Sequence, residues 1–439
     1  MTIAELMHAF KPDLAGRDAH ALLRRLYPIC RSITGNGVRE TLALLREQIP
    51  LTVHEVPSGT PAFDWVVPKE WNIRDAYIAD VNGRRIVDFQ QSNLHVMSYS
   101  TPVRRRITQS ELREHLFTLP DHPDWVPYRT SYYKPQWAFC VSQRQADALT
   151  DPEYDVCIDS SLEDGALTYG ECVLPGSTDE SVLISCHICH PSLCNDNLSG
   201  MVAATALAAR LSTVPRRYTY RFLFIPGTIG SITWLSRNEA LTGRIRHGLT
   251  LACVGDPGAI TYKRSRRGDA IIDRAVAHVL AHPSRPHRIV EFSPYGYDER
   301  QYSSPGFNLP VGCFMRTPHG EFPEYHTSAD NPDFVTAEAL GDTIGTLLAV
   351  MRVLEEDRTY RNTNPKCEPQ LGKRGLYRSV GGTDGKMSEL ALLWLLNQAD
   401  GTQTLLDIAE KARLPWDVLS QAAESLKAVG LLDEPRTET

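Results

Sequence analysis

The chain has 439 residues, 42% of them hydrophobic and 23% charged, which describes an ordinary globular protein with room for two or three domains. A net charge of -7 argues against a nucleic-acid-binding protein, and no apolar run reaches the ~20 residues of a membrane helix. The ten cysteines lack disulfide-like spacing, and the N-terminus lacks a signal-peptide pattern, so we expect a cytoplasmic location.

The first 50 residues are predicted to be helical and to pack on the main domain. Apolar residues recur at helical spacing over 17–49, with a Gly-Asn-Gly turn between two helices. From 51 to 165, short β-like runs alternate with turn residues, and aromatic residues are concentrated there. We predict an inserted β-rich domain over this range, with Trp137 or Tyr133 as the wall of a neighbouring site.

Between 166 and 357, strand-like runs such as SVLISCH alternate with helix-like runs such as SGMVAATALAARL. This alternation predicts an α/β fold with a mostly parallel sheet sandwiched by helices. After a polar linker, helix and turn signals over 375–435 predict a winged-helix-like domain. Residues 386–434 contain four lysines and arginines against eight acidic residues, so we expect packing or oligomerisation there and no DNA binding.

The stretch SCHICHPSLCNDNLSG at 185–200 concentrates residues that bind metals. Its segment CHICH matches the attachment motif of c-type haem, but such attachment requires an exported chain. A structural zinc on the three cysteines of the stretch would lack a fourth ligand nearby. We favour a third interpretation, in which these cysteines are small apolar packing groups.

Four side chains of metal-ligand type follow predicted strands of the α/β domain. They are His187 at the end of SVLISCH, Asp196 in the next loop, Asp256 after LTLACVG, and His326 before the last long helix. In an open parallel sheet, ligands bind beyond the carboxyl ends of the strands. Two imidazoles and two carboxylates at such positions predict a metal site.

The order H…NDNLSG…D…HTSAD resembles that of the co-catalytic zinc aminopeptidases and the related glutaminyl cyclases. Residues 15–435 are also similar to a bacterial group of aminopeptidase-like proteins with a small inserted domain and a C-terminal winged helix. The resemblance implies that His187, Asp196, Asp256 and His326 bind metal, with Asp196 placed to bridge two ions.

One departure from that pattern concerns the base. Gly227-Thr228 stands where the clan has a pair of glutamates, of which the first is the general base and the second a metal ligand. Because neither residue can replace a glutamate, we expect one zinc ion in preference to two. Glu324, Glu321 or Asp298 then becomes the candidate base, with Glu324 preferred and Asp298 next, and Tyr297 is a candidate donor to the oxyanion.

These features predict a zinc-dependent hydrolase of aminopeptidase type that acts on an aminoacyl amide or a small peptide-like conjugate. Two alternatives stay open: a zinc enzyme that does not hydrolyse, such as an acyltransferase or cyclase, and an inactive aminopeptidase-like binding protein. The resemblance also implies a biosynthetic pathway for polysaccharides or small natural products. The expected partner is a small or short peptide-like substrate, without nucleic acid or membrane, and a homo-oligomer is a further expectation.

Overall fold

The computed structural model describes residues 1–282, 286–376 and 383–435, with side chains from residue 387 in the last range. The helices are α1 (Ile3–Ala9), α2 (Pro12–Leu26), α3 (Asn36–Arg46), α4 (Gln109–Glu114), α5 (Gln143–Asp147), α6 (Ser199–Leu211), α7 (Ile229–Arg237), α8 (Glu239–Thr242), α9 (Ile271–Ala281), α10 (Glu299–Tyr302), α11 (Ala337–Glu356), α12 (Thr383–Gln398), α13 (Leu405–Ala412) and α14 (Trp416–Ala428). In this part of the chain, no helix is both long and apolar enough to cross a membrane.

The strands are β1 (Leu51–Pro57), β2 (Pro61–Ala62), β3 (Trp65–Val66), β4 (Glu70–Ala79), β5 (Arg85–Asp88), β6 (Val103–Thr108), β7 (Leu116–Phe117), β8 (Phe139–Cys140), β9 (Glu153–Glu163), β10 (Ala166–Leu174), β11 (Ser181–His187), β12 (Thr219–Ile225), β13 (Ile245–Leu251), β14 (Ile260–Lys263), β15 (His287–Val290), β16 (Val311–Met315), β17 (Thr359–Asn362), β18 (Asp400–Thr404) and β19 (Leu432–Asp433). Eight of them form one sheet in the order β1-β10-β12-β11-β13-β16-β14-β15.

The four central strands β12, β11, β13 and β16 are parallel, whereas β1 pairs antiparallel with β10, β10 with β12, and β14 with β16. Every residue of β11 is buried, as expected for a parallel strand with both faces covered. The alanine-rich helix α6 follows β11 and contacts α2. The predicted α/β fold with a mostly parallel central sheet is confirmed, and the carboxyl ends of the parallel strands all lie at one edge.

The inserted region has its own sheet, in the order β5-β4-β9-β6, and its own hydrophobic core. Its start differs from the predicted boundary at 51. β1 pairs with β10 of the main sheet along its whole length, so the insertion begins after β1. The sequence of β1 does not reveal this, because a half-exposed edge strand shows the same alternation in either sheet.

The chain divides into two compact units, the first of Met1–Ala270 with Arg288–Gly345 and the second of Ile271–His287 with Thr346–Thr439. In the second unit, α12, α13 and α14 pack together beside the sheet β18-β17-β19. Three helices with a small antiparallel sheet form a winged helix, as predicted. β17 lies in the stretch that the sequence assigned to the linker, and residues 377–382 of the predicted domain lie outside the described part.

Candidate metal centre

A compact group of polar side chains lies at the carboxyl end of the central strand β11. His187 ends β11, His190 lies in the following loop, and Asp196 lies in the turn before α6. One ligand atom of each lies within 4.8 Å of those of the other two. Nε2 of His187 is 2.7 Å from Oδ1 of Asp196, and Nε2 of His190 is 3.7 Å from Oδ2. His326 adds its Nε2 at 2.9 Å from the same Oδ2. We refer to these four residues as the histidine–aspartate cluster.

The burial of this cluster determines the charge of its members. Burial lowers the pKa of His190 well below its usual range, so its ring is neutral and keeps a lone pair for a metal. Burial alone would raise the pKa of Asp196, but the surrounding imidazoles outweigh this effect and hold that pKa well below its usual range. At neutral pH the cluster therefore offers an ionised carboxylate beside a neutral imidazole, which is the form in which both bind metals.

This set of donors fits a zinc ion. Zinc takes about four tetrahedral ligands at about 2.1 Å, so two of its ligands lie about 3.4 Å apart. The distances of 2.7, 2.9 and 3.7 Å around Asp196 lie on either side of that value. The cysteines of the 185–200 stretch are buried free thiols and do not belong to the group of ligand atoms found among the described residues. Nitrogen and oxygen donors without sulfur therefore form the site.

Asp330 ties the loop that carries His326 to the loop that carries Asp196. Its carboxylate accepts hydrogen bonds from the N–H groups of Asn195 at 2.5 Å and Asp196 at 2.9 Å. Its carbonyl oxygen accepts a third from the N–H of Cys194 at 3.1 Å. Asp330 is the last residue of HTSAD, so one short motif supplies a member of the cluster and a support for another.

Asp256, a predicted ligand, is not brought to the cluster. Its Oδ1 accepts hydrogen bonds from Oγ1 of Thr317 at 2.6 Å and from the N–H of Gly258 at 2.8 Å, and its Oδ2 accepts one from Nδ2 of Asn195 at 3.0 Å. β13 ends at Leu251, and the chain continues beyond the strand before it reaches Asp256. Asp256 therefore supports Asn195, the neighbour of Asp196, through bonds that occupy both of its oxygens.

His190 is a member of the cluster that sequence reasoning misses, because the resemblance carries over His187 and Asp196 from the 185–200 stretch but not His190. The available signal is the spacing of the two histidines in HICH. The backbone of His190 is held by Arg31, whose Nε donates a hydrogen bond to the His190 carbonyl at 3.0 Å. Arg31 is fully buried and also donates to the carbonyl of Leu26 at 2.8 Å. A residue of the N-terminal segment thus fixes the position of a candidate ligand.

An aromatic ring fills the place of the absent glutamate. Gly227 follows β12, and a Cβ added to it would lie 2.0 Å from Cε1 of Tyr297. The same ring contacts His187 with a centroid distance of 3.9 Å, and its hydroxyl lies 3.5 Å from Sγ of Cys189. Burial raises the pKa of Tyr297 well above its usual range, so the phenol stays protonated. Only a glycine at position 227 allows this ring to lie beside His187.

The two candidate bases have different surroundings. Asp298 is buried, with its Oδ1 2.8 Å from Oγ of Ser231, and burial raises its pKa to about 7 against the opposing effect of His187. Glu324 is half-buried, and its carbonyl accepts hydrogen bonds from the N–H and the hydroxyl of Thr327. Among the described contacts, neither the Asp298 nor the Glu324 carboxylate forms a hydrogen bond to the cluster, and Asp298 is the more buried of the two. The surroundings of Asp298 are therefore the better suited to a base.

The inserted domain contributes a wall to the centre. The N–H of Tyr128 donates a hydrogen bond to the carbonyl of His326 at 2.7 Å. The Tyr128 ring stands perpendicular to the His326 ring with centroids 5.1 Å apart, and its hydroxyl lies 3.0 Å from that of Tyr132. Burial raises the pKa of Tyr128 well above its usual range, so this hydroxyl also stays protonated. The protonated tyrosines Tyr128 and Tyr297 thus cover the histidine rings of the cluster.

The predicted wall residues lie elsewhere. Trp137 stacks on His115 within the inserted domain, with ring centroids 3.6 Å apart. Tyr133 is 51% exposed and contacts Trp65, with centroids 5.6 Å apart. Aromatic content alone could not separate rings that serve the core of the insertion from rings that face the centre.

Comparisons with known proteins agree with this organisation. The model of a family described as a domain of unknown function (DUF4910) matches residues 20–357, and one described as a winged helix-turn-helix matches residues 358–434. A Clostridium acetobutylicum protein, provisionally named a polysaccharide biosynthesis protein with an aminopeptidase-like domain, is 52% identical over 418 residues, or 95% of this chain and 96% of that protein.

Solved structures show the same relationship. A crystal structure from Clostridium acetobutylicum, provisionally named a peptidase, has a TM-score of 0.94 and 49% identity, with 99% of each chain covered. A zinc aminopeptidase of Bacillus subtilis has a TM-score of 0.57 and 13% identity, with 77% of this chain and 94% of that chain covered, so the likeness concerns the fold alone. The chain therefore belongs to the DUF4910 family and combines its aminopeptidase-like domain with a C-terminal winged helix.

Proposed function

We propose that the protein is a zinc-dependent hydrolase of aminopeptidase type that cleaves the amide bond of an aminoacyl or small peptide-like conjugate. The observation that carries this proposal is the buried histidine–aspartate cluster at the carboxyl end of the central strand. Ligands gather at this edge in open α/β sheets, and the fold is that of zinc aminopeptidases.

In this proposal, His187, His190 and Asp196 hold the ion, with His326 beside them. A zinc ion held by these residues would supply Lewis acidity toward the carbonyl of the substrate. Tyr297, which stays protonated beside His187, is placed to donate a hydrogen bond to a developing oxyanion. One ion is proposed in preference to two, because the space of a side chain at Gly227 is taken by Tyr297 and position 228 is a threonine.

Asp298 is proposed as the general base in preference to Glu324. A carboxyl group with a pKa of about 7 is ionised in part at neutral pH and still basic enough to accept a proton. Ser231 keeps one oxygen of this carboxyl in place at 2.8 Å. The other oxygen is then the one available for proton transfer.

A second candidate function is favoured by the absence of a carboxylate at positions 227 and 228. A zinc acyltransferase or cyclase needs the same carbonyl activation but no hydrolytic base, because an amine of the substrate is the nucleophile. Under either candidate, the name of the Clostridium acetobutylicum relative supports a role in polysaccharide biosynthesis. The third possibility is an aminopeptidase-like binding protein without activity.

Two measurements distinguish these candidates. Elemental analysis of protein purified without chelator should find about one zinc per chain, and an absence of metal would leave only the binding protein. Reactions with aminoacyl amides in isotopically labelled water then test the chemistry. Hydrolysis places label from water in the carboxyl product. An unlabelled transfer or cyclisation product would instead support the acyltransferase or cyclase.

A further inference from the structure

A second concave surface lies in the first unit, separate from the histidine–aspartate cluster. It is a groove of about 390 Å³ between the β2–β3 hairpin and the helices α7 and α10. This volume lies in the range of about 300–1,000 Å³ that is usual for small-molecule sites. We call it the hairpin groove. Its lining residues are Phe63, Asp64, Trp65, Ile232, Leu235, Glu239, Gln301, Ser304, Gly306 and Phe307.

Aromatic side chains of the hairpin groove are unusually exposed. Phe63 is 55% exposed and Trp65 is 47% exposed. The Phe63 ring contacts Phe307 edge-on with centroids 5.8 Å apart, and Trp65 contacts Tyr133, which is itself 51% exposed. Contiguous exposed aromatic surface on a monomer commonly marks a binding site. These rings are inclined to one another by about 60° in each pair, and they present exposed apolar faces and edges at the groove.

The polar side chains of the groove determine which ligand fits. Asp64, Glu239, Gln301 and Ser304 offer two carboxylates, an amide and a hydroxyl. Among the described residues that line the groove, none is a lysine, arginine or histidine. The charge therefore disfavours phosphorylated, nucleotide or uronic-acid ligands and suits a neutral or cationic one. Carboxylates and amides around an apolar floor form hydrogen bonds to hydroxyl and amino groups.

A pyranose sugar has this combination of surfaces. One face of its ring carries C–H groups that can cover an aromatic ring, and its edge carries hydroxyl or amino groups. We propose that the hairpin groove binds a saccharide that is either neutral or amino-substituted. This inference rests on the proposed function in one respect. If the protein is the proposed hydrolase, its substrate contains a sugar.

The position of the groove agrees with a role close to the metal centre. α7, which supplies Ile232 and Leu235, begins just after Gly227, against which the Tyr297 ring lies. α10, which supplies Gln301, begins directly after Asp298. The same two helices therefore start at the centre and continue along the groove.

The test measures saccharide binding by calorimetry, with chitobiose, di-N-acetylchitobiose and cellobiose as probes and glucuronic acid as the anionic control. The wild-type protein should bind at least one of the first three and not glucuronic acid. Trp65→Ala should weaken binding by about tenfold or more, since it removes a large exposed ring that lines the groove. Trp125→Ala is the matched control, because Trp125 stacks on His122 away from the groove with centroids 4.1 Å apart.

A second variant keeps the test independent of folding around Trp65. A Cβ at Gly306 would meet no atom within 4 Å, so the position has room for a side chain to start, and Gly306→Leu is designed to place a bulky group in the groove. It should abolish saccharide binding without a change in melting temperature. If no probe binds, or if neither variant weakens binding, the proposal is wrong. A dimer that Trp65→Ala converts to monomer would instead assign the groove to a second copy of the chain.

The outcome is separable from that of the proposed function. Asp196→Asn should lose the metal and any hydrolysis while saccharide binding stays unchanged. If the protein binds saccharide but never hydrolyses an amide, the groove is supported and the hydrolase is not. Zinc-dependent hydrolysis without saccharide binding would support the hydrolase and overturn the assignment of the groove.

Discussion

At the scale of single residues, Gly227 and Tyr297 act as a matched pair. The glycine leaves the space that the ring fills, and the ring lies against His187. The departure from the resembling clan at this position is therefore compensated by a residue far along the chain. We therefore expect a change at either position alone to disturb the packing beside His187.

Gly227→Ala should destabilise the protein by about 1–3 kcal/mol, because the added methyl group overlaps the Tyr297 ring. Adding Tyr297→Ala to Gly227→Ala should relieve the overlap. The free energy of unfolding of both single variants and the double variant, measured in urea, gives the coupling between the two sites. Additive effects would show that the ring does not occupy this space.

The base can be identified from the pH dependence of activity. A base must be ionised, and the pKa of Asp298 is about 7, so turnover should fall as the pH drops below about 7. Asp298→Asn should lower kcat by about 10²–10⁴-fold at pH 8, whereas Glu324→Gln should stay near the wild-type value. The reverse ranking of these variants would assign the base to Glu324.

Metal content separates ligands from supporting residues. Asp196→Asn should abolish tight zinc binding, because its carboxylate contacts three imidazoles. Asp256→Asn should keep the ion but weaken its affinity by about 10–100-fold, the usual effect of a residue that orients a ligand. Competition with a chelator measures both, with exposed Asp333→Asn as the control. Equal losses in both variants would restore Asp256 as a ligand.

Individual residues of the centre were predictable to different degrees. His187, Asp196 and His326 follow from motifs that stand beside strand ends or before a helix, and the structure brings the three together. Asp256 does not join them, because the backbone path beyond the end of β13 cannot be read from the sequence. His190 has no motif of its own, and its place depends on a buried contact with Arg31.

At the scale of elements, β13 contains a buried histidine that lowers the stability of the folded chain at acidic pH. His247 packs against the edge of the Tyr218 ring, with centroids 5.1 Å apart. In the described structure, its Nδ1 has no hydrogen-bond partner. Burial, with a further contribution from Arg217, lowers the pKa of His247 to about 4. The strand can therefore accommodate only the neutral ring.

This pKa predicts a loss of stability on acidification. In the unfolded chain the histidine has a pKa of about 6.5 and becomes protonated below that pH. In the folded chain it stays neutral until the pH nears 4. Stability therefore falls as the pH drops from about 6.5 to about 4, by about 2 kcal/mol at pH 5 from this group. His247→Phe should reduce the difference between urea unfolding at pH 7 and pH 5 by that amount. The exposed variant His8→Gln should not, and an unchanged difference in His247→Phe would contradict the assignment.

The elements themselves were largely predictable. The fully buried run of β11 and the alanine-rich α6 have patterns that few other structures produce. The strands β1 and β17 were harder to place, since their local sequence does not indicate the strand with which each pairs. Long-range pairing, and not local propensity, decides the sheet to which such strands belong.

At the scale of the whole molecule, the second unit contains a winged helix, a fold common in DNA-binding proteins, but its excess of acidic residues does not suit DNA. Arg274 pairs with Asp407 and Glu410, and Arg352 pairs with Asp417, so cations of this unit neutralise acidic groups of α13 and α14. We expect the full chain to leave a short DNA duplex unretarded at physiological salt, with any affinity weaker than about 10⁻⁴ M. Salt-dependent binding that is lost when residues 358–439 are removed would contradict this expectation.

The hydrogen bonds of the centre also determine when it can form. The contact between Arg31 and His190 spans 159 positions of the chain, and those from Asp196 to His326 and from Asn195 to Asp330 span 130 and 135. Because such distant segments meet only late, His326 cannot join His187, His190 and Asp196 until the segment around residue 330 has left the ribosome. The complete histidine–aspartate cluster therefore forms only after most of the first unit has been synthesised.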